Sequence, residues 1–362
     1  MTIVNSIRVY REQAGLSQDQ LGERLGVTRQ TISTWEKGGR TPPVAQLTNI
    51  ARALDIPIDL LLHTNTSEAN TAASTGLMFR ADQPSVLKSH LKEHLTQKAS
   101  DYALIEELAG ELPNLPEMRP LSGYNDHIVE EVAKDVRDWL GVGEITPLGD
   151  VLAHLEAKGL KVILHSLPNE ISGFSAYTET FGASIIINET HPTERIFFTA
   201  LHELGHLIFH RQEYKEAQPP TRKNDPREKA ANHLAGAVLL SRDILSRELY
   251  PYRDRWIPEP LLADIKLRYG VSLRTTIYRA AQIGIISKKQ CGQQIGVLNK
   301  KYGADREEPT LAKPEGLTRL ERLIYRLLVN DELTASRAAE VLGTPLPEIR
   351  DILAKWMEED SD

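Results

Sequence analysis

Cysteine is nearly missing: Cys291 stands alone in 362 residues. That excludes a disulfide framework and points to a reducing compartment. Long apolar runs are missing too. None approaches the roughly 20 residues that a membrane-spanning helix needs, and the start, MTIVNSIRVYREQAGLSQ, lacks the charged-then-apolar layout of a secretory leader. The expectation is a cytoplasmic protein without a membrane partner. No charge of one sign dominates: 43 Lys and Arg against 50 Asp and Glu leave −7. A mildly acidic total still permits a small basic surface for nucleic acid. No fixed-period repeat is present, which excludes a solenoid. An ordinary 41% hydrophobic and 26% charged composition excludes a wholly disordered chain. The length suits two or three domains.

Composition divides the chain at 63, 83, 123 and 305. Residues 1–63 are dense in short helical patterns. TNTSEANTAASTG, residues 64–76, is small and polar, so 64–83 reads as a flexible linker. Residues 84–123 read as a helical connector: Val86, Leu87, Leu91 and Leu95 form a stripe, and a proline-rich stretch from 113 closes it. The 124–305 segment opens on NDHIVEEVAKDVRDWLG, a helix with Asn125 or Asp126 as cap and Gly141 as stop. A second helix is expected over 147–158. Three strand-like runs follow at 160–164, 173–178 and 184–188. From Thr193 onward the pattern is helical, with a helical module at 306–362. The fold class is therefore mostly α with a small β-sheet (α+β).

In the first segment, Ser17 and Thr28 read as N-caps of successive short helices, and Gly26 sits where the turn between them wants a left-handed residue. Leu21, Leu25, Ile32 and Trp35 point inward. This is the geometry that lays a second helix into the DNA major groove. The expected DNA-facing set is Thr28, Arg29, Gln30, Ser33, Thr34 and Lys37, with Gln18 toward the backbone. Arg and Gln can read base edges, whereas Ser, Thr and Lys suit phosphates. Seven basic side chains against six acidic ones over 1–63 give little net attraction, so a homodimer on two half-sites of a double-stranded operator is expected. LSQDQLGERLGVTRQTISTWEKG followed by RTPP resembles the Xre/Cro-repressor family, which implies a five-helix DNA-binding domain.

His202-Glu203-Leu204-Gly205-His206 stands within RIFFTALHELGHLIFH. Histidines four apart share one helical face and can grip one metal ion, with Glu203 placed to polarise a water. Two imidazoles and a carboxylate on so apolar a helix would cost several kcal/mol if buried without partners. His210 continues the series, but it stands about 12 Å along the axis from His202 and cannot share the ion; it reads as a structural residue. Glu228 is the favoured third ligand, one turn before Asn232, which could orient a ligating imidazole. Glu213, His233 and Asp225 remain rivals.

ISGFSAYTE, SIIINETHPTERIFFTALHELGHLIFH and EKAANHLAGAVLLSRD resemble the ImmA/IrrE metallo-endopeptidases. Leu234 replaces the usual aromatic, and Ser241-Arg242 stands where Met-Pro is common. The resemblance implies a gluzincin-like site: His202, His206 and Glu228 on zinc (manganese as the alternative), Glu203 as general base, and a protein substrate of repressor type cut in stress or mobile-element regulation. The fusion implies a DNA-binding transcriptional regulator that is also a zinc-dependent hydrolase. The alternative is a non-proteolytic regulator or antitoxin-like half of a toxin-antitoxin pair, with the metal domain sensing a toxin-like partner or a ligand. A self-cleaving repressor would need a scissile bond, for which 64–76 is the candidate. Tyr177 could face an oxyanion, although a strand tyrosine is usually packing. Cys291 reads as an ordinary thiol, and the tail as a structural or dimerising module.

Overall fold

Ser17 and Thr28 cap the helices their positions promise. The structure is a computed structural model that describes residues 7–8, 10–11, 14, 16–37, 42–54, 78–80, 89–111, 113–179, 181–215, 225–303 and 306–359. These form two units, residues 1–76 with 88–94, and residues 77–87 with 95–362.

In the first unit, α1 (Gln18–Leu25) begins on a complete capping box: the Ser17 hydroxyl accepts from the Gln20 amide, and the Gln20 side chain reaches back to the Ser17 amide. Gly26 ends it at φ +67. Thr28 caps α2 (Arg29–Glu36) through the Thr31 amide. A Cβ on Gly22 would meet the Val27 carbonyl at 2.7 Å, so only glycine lets the turn fold back this closely. With α3 (Val44–Leu54), these helices bury Leu21, Ile32, Trp35, Ile50 and Leu54. The buried Glu36 accepts from Arg11 Nε at 2.6 Å, which makes Glu36 framework. The rest of the expected five-helix set lies outside the described residues, apart from helical residues at 7, 8, 10 and 11. So do residues 64–76.

The second unit is built on one mixed sheet. Its strands are β1 (Met78–Arg80), β2 (Lys161–His165), β3 (Gly173–Thr178) and β4 (Gly182–Asn188), ordered β1-β3-β4-β2. β1 runs antiparallel to β3, β3 antiparallel to β4, and β2 parallel to β4. Three strands match the expected runs. β1, inside the stretch read as linker, is the additional one; nothing in a three-residue segment announces a pairing made with a partner some hundred residues away.

Helices cover this sheet. α4 (Ser89–Leu108) buries Leu95, Ala99, Tyr102 and Ile105. α5 (Asp126–Leu140) is capped by Asn125 and stopped by Gly141, as its sequence indicates. α6 spans only Val151–Ala157, because Gly149 is left-handed and Asp150 supplies the N-cap. α7 (Thr193–Phe209) lies on β3 and β4, where a Cβ on Gly173 would sit 2.7 Å from both the Ile186 carbonyl and Thr199. α8 (Pro226–Leu239) packs on α7 and α5. α9 (Arg242–Leu249), α10 (Glu259–Tyr269), α11 (Leu273–Gln282) and α12 (Lys288–Tyr302) complete the apolar core. Lys266, fully buried on α10, places Nζ 2.6 Å from Glu194 in the first turn of α7 and so fixes that helix start. The tail folds as α13 (Arg319–Val329), α14 (Ala335–Leu342) and α15 (Leu346–Glu359), with Leu323, Ile324, Leu327 and Leu328 inside. No helix among the described residues is long and apolar enough to cross a membrane.

Candidate metal centre

Gly205, between the two histidines of the motif, decides how closely α7 and α8 meet. A Cβ there would stand 3.0 Å from Ala231 Cα. The missing side chain lets the helix backbones approach, and the carboxylate of Glu228, on the first turn of α8, reaches the imidazoles. Glu228 Oε2 lies 3.2 Å from His202 Nε2, and Glu228 Oε1 lies 3.3 Å from His206 Nε2. Ligand atoms of His202, His206 and Glu228 all fall within 4.8 Å of one another.

The imidazoles are oriented from behind. Asn232 Oδ1 lies 3.1 Å from His202 Nδ1, and an amide oxygen only accepts, so His202 carries its proton on Nδ1 and turns the Nε2 lone pair inward. His206 Nδ1 is 3.2 Å from His210 Nδ1, so His210 stands behind His206 and not in the cluster. The two Nε2 atoms are 3.0 Å apart. Two imidazole nitrogens and a carboxylate at such range form a donor set that fits a divalent cation.

Glu203 follows His202 on the helix and turns toward β3. Its Oε2 accepts from the fully buried Ser175 hydroxyl at 2.5 Å, and Tyr214 Oη lies 2.7 Å from the same hydroxyl. Sequence reasoning quoted Ser175 within a motif but gave it no role, and Tyr214 was missed; the alternation in GFSAYT, which puts Ser175 on the helix-facing side, was the available signal.

The rivals for third ligand are engaged elsewhere. Asp225 caps α8 and pairs with Arg227, which also reaches Glu213 at 3.0 Å. His233 turns away: its Nδ1 lies 3.0 Å from Tyr124 Oη, and its Nε2 lies 3.0 Å from Glu130, which Arg279 grips through both guanidinium nitrogens. Burial raises the Glu130 carboxyl, yet His233 and Arg279 bring it down to about 2. Tyr177 lies under Arg211, 5.4 Å from guanidinium carbon to ring centre. Cys291 is buried, and burial pushes its thiol up. A cleft of about 630 Å³ beside Asn232 is lined by Tyr124, Phe198, Lys229 and Tyr278.

On the helix–turn–helix, Arg29, Gln30 and Lys37 are exposed. Arg29 stands 3.7 Å from Asp19, and Thr34 donates to the Gln30 carbonyl. Thr28 is exposed and committed to its cap, and Ser33 is half-buried. The amide of Gln18 donates to Glu36 at 2.7 Å.

Two stretches of the chain match known families. The helix-turn-helix family matches residues 7–61, and the IrrE N-terminal-like domain matches residues 155–281. The chain is 52% identical over 48 residues to an HTH-type transcriptional regulator of Methanothermobacter thermautotrophicus, covering 13% of this chain and 70% of that protein. It is 33% identical over 63 residues to the HTH-type transcriptional regulator YqaE of Bacillus subtilis, 17% of this chain and 54% of that one. Among solved structures, a Mycobacterium tuberculosis transcriptional regulator aligns at a TM-score of 0.32 and 16% identity over 50% of this chain and 51% of that chain; an overlap so loose carries no argument.

Proposed function

Because the chain belongs to the helix-turn-helix transcriptional regulators and carries an IrrE N-terminal-like domain, we propose that it is a cytoplasmic, dimeric DNA-binding regulator whose central domain is a zinc-dependent endopeptidase acting on a repressor-type protein. The observation that carries the reading is the convergence of His202, His206 and Glu228 beside Glu203. Zinc suits two imidazoles and a carboxylate, with manganese as the alternative. Bound there, it would act as a Lewis acid on water or on a peptide carbonyl.

The protein's own residues supply the rest. Asn232 fixes the His202 tautomer, and Ser175 holds one oxygen of Glu203. Glu203 accepts a proton from the attacking water onto its carboxylate and returns it to the departing amine. The cleft beside Asn232, with its aromatic and lysine lining, is the space for flanking substrate residues. Residues Thr28, Arg29, Gln30, Ser33, Thr34 and Lys37 meet the operator, and a homodimer presents two such helices.

A second reading has one observation behind it. A cavity of about 600 Å³, lined by Lys98, Tyr102, Glu156, Lys313 and Arg322, lies apart from the metal residues and suits a regulator that senses a ligand without hydrolysis. Incubating the zinc-loaded protein with repressor- and toxin-like proteins encoded beside it separates the two. Cleavage that disappears in Glu203→Gln supports the peptidase. An intact partner, with repression identical in wild type and Glu203→Gln, refutes it.

A further inference from the structure

β3 is the strand that holds the machinery of Glu203, and its outer edge is covered by a segment from well before the IrrE-like match. The IrrE-like match starts at residue 155, whereas β1 comes from residues 78–80, directly after the small polar stretch that ends at Gly76. β1 pairs antiparallel with β3: Met78 opposite Tyr177, Phe79 opposite Ala176 and Arg80 opposite Ser175. Ser175 is the residue whose hydroxyl lies 2.5 Å from Glu203. The 3₁₀ turn at Arg211–Lys215, which carries Tyr214, abuts both β1 and β3.

Without β1 the edge of β3 would show a row of open amides and carbonyls beside the metal centre. Such an edge takes an extended chain through main-chain hydrogen bonds, largely whatever its side chains. A strand there lies about 4.8 Å from β3, hence next to the residue that holds Glu203. Three residues is the lower end of strand length, so the segment contributes few ladder bonds and can be displaced.

Reading the centre as a peptidase makes the outer edge of β3 the place for an extended substrate; we propose that residues 78–80 occupy that edge as an internal strand, which such a substrate must displace. This rests on reading the centre as a peptidase.

The test uses the full-length protein in a Glu203→Gln background, so that no bond is cut, and a fluorescein-labelled peptide of residues 76–83 added in trans. Neighbouring residues of a strand face opposite edges, so one of Phe79→Pro and Arg80→Pro must remove a ladder bond. In that variant the peptide should bind at least tenfold tighter than in the parent, and the amides of 173–178 should exchange faster. A Met78→Cys/Tyr177→Cys pair in a Cys291→Ala background supplies the opposite arm. Oxidation should take 2 Da from the mass and abolish peptide binding, and reductant should restore it. Equal peptide affinity in the parent and both proline variants, or unchanged affinity in the oxidised tether, overturns the proposal. These readouts need no hydrolysis, so an absence of proteolysis alongside them would strike only the peptidase reading.

Discussion

His202 Nε2 and His206 Nε2 stand 3.0 Å apart, each also within 3.3 Å of the Glu228 carboxylate. Together the three groups form a set that fits one divalent cation. Asn232 Oδ1 accepts a hydrogen bond from His202 Nδ1, which leaves the Nε2 lone pair of His202 turned toward the carboxylate.

Asn232→Ala should weaken metal binding without removing a ligand. The His202 ring loses its anchor and its preferred tautomer, and the loss of such a partner costs on the order of 10–100-fold in affinity. Competition with a chromophoric chelator measures it. Affinity within twofold of wild type would show that Asn232 orients nothing.

Gly205→Ala inserts a methyl group 3.0 Å from Ala231 Cα. The helix pair must spread, which costs about 1–3 kcal/mol and carries Glu228 away from the imidazoles. Denaturant unfolding and metal affinity should both fall. A stable Gly205→Ala protein with full metal affinity would mean that the contact between α7 and α8 does not set the site.

Much of this was legible. HELGH on an apolar helix, Glu228 with Asn232 one turn later, and the alternating strands gave the centre its residues, because local periodicity places them. The Gly205 contact was not legible, since a glycine inside a helical motif does not name the Ala231 it will meet. β1 escaped because strand pairing at long sequence separation leaves no local mark. The bond from Gln18 to Glu36 was not legible either, because Glu36 belongs to the next helix and reads as exposed until Arg11 buries it.

Glu156 gives a pH signature. Burial pushes its carboxyl up to about 7, although the Arg319 amide donates to it. Between the unfolded value near 4.5 and that folded value, the native state holds the extra proton, so this group's contribution to stability falls as pH rises through the window. At about 1.4 kcal/mol per unit, the fall is on the order of 3 kcal/mol. Relative to Glu156→Gln, wild type should lose stability from pH 4.5 to 7; parallel curves would contradict this.

On the proposed reading, the helix of Arg29–Glu36 carries both base readers and phosphate anchors. Gln30→Ala should cost about 1–3 kcal/mol and relax discrimination at one base pair, whereas Lys37→Ala should weaken all sequences alike and lower the salt slope by about 1. Anisotropy titrations on operator and scrambled duplexes at several salt concentrations distinguish the two. Equal loss on both duplexes for Gln30→Ala would remove it from base reading.

Metal content tests the central claim most directly. Full-length protein equilibrated with zinc, passed through a desalting column and analysed by elemental mass spectrometry should hold about one ion per chain, and Glu228→Ala should retain less than about a tenth of that under the same treatment. A Glu228→Ala protein that keeps its ion as tightly as wild type would contradict the account.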